Sequence, residues 1–172
     1  INSTMASLTT DLNYLQPTSY KITIDRENYP NLEYFAQTIT HPGVITQQVE
    51  MPFRQVAGVP LTGSSLTYNE LSATIILDEN MSSYTEMHNW IRRNVENSDV
   101  PALSRDYKKQ KPPTYSDITI SILSSHNNKT KQIVYRDCVP TSLGDITFES
   151  TATGTEFVTY AVSFRFMYFD IV

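Results

Sequence analysis

Three histidines, one cysteine and eighteen Asp and Glu residues are the groups from which this 172-residue chain could build a reactive or metal-binding site. Such chemistry needs them at set spacings: two His one helical turn apart around a Glu, clustered Cys and His, or a nucleophile beside a base held by a third group. None of these patterns occurs. His41 stands before Pro42-Gly43 and reads as a turn residue, His88 sits near Trp90 in a helical segment and reads as half-buried surface, and His126 falls in a hairpin turn. Cys138 lies near Asp137 and Asp145, whose negative charge opposes a thiolate, so it reads as a small buried side chain. Asp78-Glu79-Asn80 has the acids of a cation site, yet acids just ahead of a helix meet its positive end, and that structural role is favoured. There is no Gly-rich phosphate loop and no G-x-S-x-G turn. The sequence therefore assigns no catalytic residue, no metal ligand and no cofactor, and the chain reads as a protein without enzymatic activity.

One cluster stands out from this quiet background. Arg105, Lys108, Lys109 and Lys111 lie between Tyr107 and Tyr115, a pattern that could stack and neutralise a nucleic-acid strand. Asp99 and Asp106 dilute it, so a loop that binds an acidic protein partner is the preferred reading. Net charge is −5, and its distribution is uneven. Residues 1–100 carry five Lys and Arg against eleven Asp and Glu, whereas residues 101–172 carry eight against seven. A mildly acidic chain is a poor binder of phosphate backbones. No apolar run reaches the roughly 20 residues of a membrane span, so no membrane insertion is expected. A single cysteine excludes an internal disulfide framework and suits assembly in a reducing cytosol.

The elements around these groups follow from periodicity. Residues 1–19 are rich in Ser, Thr and Asn and are expected to run loosely, with one domain over 20–172. Strands are expected at 20–24, 32–40, 71–77, 117–123, 131–136 and 146–150, with a turn at 126–129. Residues 44–70 hold Pro52 and Pro60, which argue against a central strand, so they read as a long arm or hairpin. One helix is expected over 83–97, opened by a Ser83–Glu86 capping box. An irregular loop fills 98–116. The chain closes on FVTYAVSFRFMYFDIV, read as one long strand from 157 to 170. Its even positions, Val158 to Tyr168, are apolar or aromatic throughout. Its other face is mixed, and Thr159, Ser163 and Arg165 are the candidates there for lining a channel or meeting a neighbour. The arm's apolar residues Val49, Met51, Phe53, Val56, Val59 and Leu61 are too many for a free loop and call for a cover. A chain without chemistry, with a two-sided final strand and two long segments, has the profile of an assembly subunit.

Read in order, the segments resemble the tail tube protein family of contractile-tailed bacteriophages. NYLQPTSYKITI is similar to the family's opening strand, and NLEYFAQTITHPGV to the next, which ends at a Pro turn. LSATIILDENMSSYTEMHNWI is similar to its strand, acidic turn and helix, and IVYRDCVPTSLGDITFES with the final strand to its ending. The resemblance covers residues 13–171 and rests on the order of elements. It implies a mainly β fold of two packed antiparallel sheets with one flanking helix, six copies joining their sheets in a ring, and rings stacking into the inner tube of a tail. The partners it implies are the chain itself, a tail sheath protein, baseplate tube-initiator and hub proteins, and a tape measure protein in the lumen. It also implies that DNA passes transiently, through a virion tail assembled in the host cytoplasm. Related roles within the same resemblance are a baseplate tube initiator, a neck terminator and the type VI secretion tube. A carbohydrate- or protein-binding β-sandwich with a tyrosine platform is the alternative from another class.

Overall fold

The computed structural model describes residues 15–25, 27–53, 57–96, 114–149 and 157–172. The elements are β1 (Tyr20–Thr23), α1 (Pro30–Phe35), β2 (Ala36–Thr40), β3 (Val44–Phe53), β4 (Ala57–Tyr68), β5 (Leu71–Ile76), α2 (Ser82–Glu96), β6 (Ser116–Leu123), β7 (Lys129–Leu143), β8 (Thr159–Arg165) and β9 (Tyr168–Ile171). All strand pairs are antiparallel. One sheet runs β1-β6-β7-β9 and the other β7-β8-β5-β2, so β7 belongs to both.

The sharing works because β7 bends at Asp137, which takes a left-handed φ of 52°. Asp117 holds the bend: one carboxylate oxygen accepts the Asp137 N–H at 3.0 Å and the other the Arg136 guanidinium at 2.6 Å. The core lies between the two sheets. On β5 and β8 the register sets Leu71 opposite Phe164, Ala73 opposite Val162 and Ile75 opposite Tyr160, and all six are buried. Ile118 and Tyr135 close the core from the other sheet. Burying side chains of this size stabilises by about 1.5–3 kcal/mol each.

Helix α2 packs Ser83, Met87 and Trp90 inward. Trp90 stacks on Tyr29 with centroids 4.5 Å apart, and its indole N–H donates to the Thr114 carbonyl at 2.9 Å. The start of α2 differs from the capping box read in the sequence. The carboxylate of Asp78 accepts the N–H groups of Ser82 (3.0 Å) and Ser83 (3.1 Å), while Glu86 accepts from Asn31 at 2.6 Å. Asp78 can do this because Met81, at φ 54°, turns the chain back over it.

Three other expectations are corrected. Residues 32–40 are not one strand: a six-residue helix, α1, occupies the first part and makes a second helix. Pro30 opens it, after an Asp25 turn in which the carboxylate accepts from the Glu27 N–H and the Asn28 amide. Residues 144–149 form no strand, although Ile146 packs on the core. The final strand is broken into β8 and β9. Past Arg165 the chain must follow β7 around its bend, and the Met167 N–H donates to the Arg136 carbonyl at 3.0 Å. The break shifts the alternation. Tyr160, Val162 and Phe164 are buried as expected, but Tyr168 is 42% exposed and Phe169 turns to the core.

β3 and β4 form a separate two-stranded hairpin, paired from Val44↔Tyr68 to Phe53↔Ala57 with a register shift beside Gln47. Gly63 faces that shift so closely that a Cβ there would lie 2.0 Å from the Gln47 carbonyl oxygen. Gly63→Ala is expected to loosen the hairpin and leave the core intact. Hydrogen exchange should show amide protection in β3 and β4 falling about tenfold or more, while β5 to β8 are unchanged. Unchanged hairpin protection would contradict the close contact. Asp78 supplies a pH test. Desolvation raises its pKa, but the Ser82 and Ser83 N–H groups outweigh this and hold it down at about 2. A depressed carboxylate stabilises the fold above its unfolded value and loses that contribution as pH falls through its folded one. At pH 6, Asp78→Ala should cost about 1 kcal/mol, read as a lower melting temperature. The gap should close between pH 4 and 2, and a gap independent of pH would refute this role.

Candidate functional site: the assembly surfaces

The outer face of β8 carries Thr159, Ala161, Ser163 and Arg165, while its inner face is buried. Register extends this face sideways. Thr40 on β2, Ser72 on β5, Ser163 on β8 and Ser142 on β7 form one transverse row of hydroxyls across four strands. Thr38, Thr74 and Ala161 form the next row, and Ile76 stands opposite Thr159. Close strand approach keeps the rows flat: the Gly144 N–H donates to Ala161 at 2.7 Å, and a Cβ on Gly144 would come within 2.9 Å of that carbonyl oxygen. Arg165 lies at the end of the face, 3.9 Å from Glu70, and both side chains are well exposed. Such an open pair contributes little to stability. The structure thus places Thr159, Ser163 and Arg165 on a single accessible, almost uncharged face. Ser72, Thr74, Thr40 and Ser142 were not singled out from the sequence. Their signal was the polar half of the same alternation that marked the core.

The second surface is the hairpin. It prolongs β2 and β5: beyond Thr40↔Ser72 the Asn69 N–H donates to the Gly43 carbonyl at 3.1 Å, and the ladder resumes at Val44↔Tyr68. Within it, Val49 pairs with Leu61 and Met51 with Val59, while Glu50 pairs with Pro60 on the opposite face. Val49, Met51 and Leu61 are 43–55% exposed, so no described residue covers this apolar row. Phe53 and Val59 share that row by backbone register alone, and Val56 lies outside the described residues. Among the described residues the prolines sit where the ladder has no third strand to need their missing N–H.

The hairpin leaves the domain over an aromatic nest. Tyr68 meets Phe166 at 5.4 Å and Phe169 at 5.5 Å, and His41 meets Phe169 edge-on at 5.0 Å. The Tyr135 hydroxyl and His41 Nδ1 share a hydrogen bond of 2.5 Å. Burial raises the Tyr135 pKa and lowers that of His41, so both groups are held neutral in this bond. His41 is thus more than a turn residue, since it anchors the arm's root.

The remaining groups have structural roles. Burial, with Asp117 and Asp137 adding to it, pushes the Cys138 thiol up to about 12. His88 is exposed rather than half-buried, lying parallel to Tyr84. His126 is exposed in its turn. Arg105, Lys108, Lys109 and Lys111 lie outside the described residues. Among the described residues, no cluster of His, Cys, Asp and Glu is arranged to hold a metal.

The profile of the family described as phage tail tube protein matches residues 4–172. No curated protein sequence matches. Among solved structures, a chain of the anti-feeding prophage cap, the AFP tube-terminating cap, is similar at 13% identity and TM-score 0.66, with 99% of each chain covered. A chain of the PVC sheath–tube complex, from an extracellular contractile injection system in the extended state, is similar at 13% identity and TM-score 0.62. There the match covers 94% of this chain and 93% of the other. A chain of the PVC sheath/tube terminator is similar at 12% identity and TM-score 0.61, with 94% and 99% covered. At these identities the likeness establishes the fold. Together with a family match along nearly the whole sequence, it shows that this chain belongs to the phage tail tube protein family and is a structural protein of tube type.

Proposed function

We propose that six copies of this chain close into a ring by joining sheets between neighbours, and that rings stack into the inner tube of a contractile tail. The observation that carries this is the four-strand hydroxyl face. It is too polar for a core, yet it belongs to a sheet whose outermost strand among the described residues, β2, leaves an edge for a partner strand. Closure between copies removes such edges and turns the outer face of each sheet into the wall of a channel. Thr159 and Ser163 then line the wall, and Arg165 sits where it meets a neighbour. The tube serves as the conduit for DNA ejection, with a sheath protein outside, baseplate initiator and hub proteins at one end, and a tape measure protein in the lumen during assembly. The protein acts by its shape and not by catalysis, and its place is the virion tail, assembled in the host cytoplasm.

The apolar row of the hairpin is assigned to the contact between stacked rings, since ring closure already occupies the sides. A second reading, a ring that ends the tube, has the support of the likeness to the AFP tube-terminating cap. The two differ in copy number. Negative-stain images of the purified protein should show hexameric rings that grow into long hollow fibres, whereas isolated rings that never stack favour the terminator. A strictly monomeric mass at high concentration in light scattering would overturn both. Met51→Asp with Leu61→Asp should leave rings intact and abolish fibres. Each buried apolar side chain contributes about 1.5–3 kcal/mol, repeated six times per ring. Fibres of normal length from this double variant would place the contact elsewhere. The wall should also let DNA pass without holding it. Duplex DNA carries one charge per ~1.7 Å, and a basic wall would bind it. Assembled rings should produce no gel shift at low salt, and tight binding there would refute a neutral lumen.

A further inference from the structure

A groove of about 330 Å³ opens where β7 bends, lined by Tyr115, Asp137, Val139, Arg165, Phe166 and Met167. Its apolar part is Val139, Phe166 and Met167, and Met167 is 68% exposed. Val139 pairs directly with Arg165, so the groove adjoins the end of the hydroxyl face. The described residues thus include an exposed apolar row, Val49, Met51 and Leu61, and an apolar groove open to receive such a surface.

A chain cannot bring its own ribbon to its own groove. The hairpin leaves from beside it: Tyr68 touches Phe166 at 5.4 Å, and Glu70 lies 3.9 Å from Arg165. From that root the paired strands run outward for the ten residues of β3, about 33 Å at ~3.3 Å per residue. Folding back would break the Asn69–Gly43 hydrogen bond and the Val44↔Tyr68 pairing that fix the exit. We infer that the apolar row Val49–Met51–Leu61 of one copy seats in the groove at the β7 bend of a second copy, against Val139, Phe166 and Met167. Seated this way, the ribbon turns Gln48 and Glu50 outward, so the covered groove presents polar groups continuous with the hydroxyl face. Ribbon and groove are different surfaces, so the contact is head-to-tail. Each copy at a tube end keeps an unused arm or an unused groove until the next ring stacks on it.

This inference rests on the reading that copies assemble through the hairpin, and the experiment separates the two. Full-length Met51→Cys and Met167→Cys proteins are mixed under assembly conditions and oxidised, with Met51→Cys plus Val95→Cys on α2 as the comparison. The native Cys138 is buried and does not compete. The first mixture should give a covalent dimer whose cross-linked peptide joins positions 51 and 167, and the second should give none. Independently, Met167→Asp should remain folded, with an unchanged circular dichroism spectrum and melting temperature, still form rings, and lose fibre growth at least tenfold in light scattering. Particles that form normally with no link between 51 and 167, or normal fibre growth of Met167→Asp, would overturn the groove assignment and leave hairpin-driven assembly standing. Failure of the unmodified protein to assemble would overturn both.

Discussion

The bend of β7 at Asp137 is the constraint on which the rest of the structure depends. A single strand feeds two sheets only if its direction changes sharply within one or two residues. A left-handed residue does this at a cost of about 1–3 kcal/mol unless its surroundings hold it. Asp117 holds it by satisfying the Asp137 N–H and pairing with Arg136. From that corner the partner chain must break as well. β8 and β9 are therefore one segment divided between two sheets, and the groove at the bend is lined from both segments, by Asp137 and Val139 of β7 and by Arg165, Phe166 and Met167.

The same corner accounts for the two characters of the β2-β5-β8 sheet. Its inner face is pressed against Tyr135 and Ile118 from the first sheet and against Trp90 and Met87 from α2, so it is apolar throughout. Among the described residues no element covers the outer face, yet it carries Ser and Thr rather than Lys and Glu. An ordinary solvated face would mix charges of both signs. Short hydroxyls at β-branched or small positions keep the strand propensity high, and they leave the face level. The hairpin prolongs this sheet beyond the domain, and its aromatic root, with the Tyr135–His41 bond, ties the arm's exit to the same β7 that makes the corner.

Much of this was legible in the sequence, and the parts that were not share a cause. Alternation is a local signal, so the core positions of β5 and β8 could be read directly, as could the polar face that carries Ser163. The break at Phe166–Met167 could not, because residues on both sides are apolar and aromatic and the cause lies about thirty residues earlier in β7. The helix α1 was hidden by Leu32, Tyr34 and Phe35, residues that suit a strand as well as a short helix; Pro30 and the Asp25 turn were the available signals. Ser83–Glu86 has the form of a capping box, but the competing acceptor Asp78 reaches the same N–H groups from the preceding turn. The arm's prolines correctly excluded a central strand, whereas its sorting into one apolar and one polar face needed the register shift at Gln47, which no periodicity displays.

The absence of reactive patterns in the sequence and the uniformity of the hydroxyl face are two sides of one design problem. On the proposed reading, in which this face lines a channel, a surface that meets a long polymer moving past it works best when no single position binds strongly. A fixed positive charge attracts phosphate over roughly a Debye length, about 8 Å at physiological salt, and a ring of six would multiply the effect. A fixed negative charge repels it over the same range. Apolar side chains would have to be wetted each time the polymer passed. Ser and Thr hydroxyls donate and accept with equal ease and exchange partners with water at little net cost, since each bond made replaces one lost. A face built from them has a shallow energy profile along its length. In that light the position of Arg165 is consistent: among the described residues it is the cation in line with the hydroxyl rows, and it stands at their end, beside Glu70, at the mouth of the groove where a second copy would meet it.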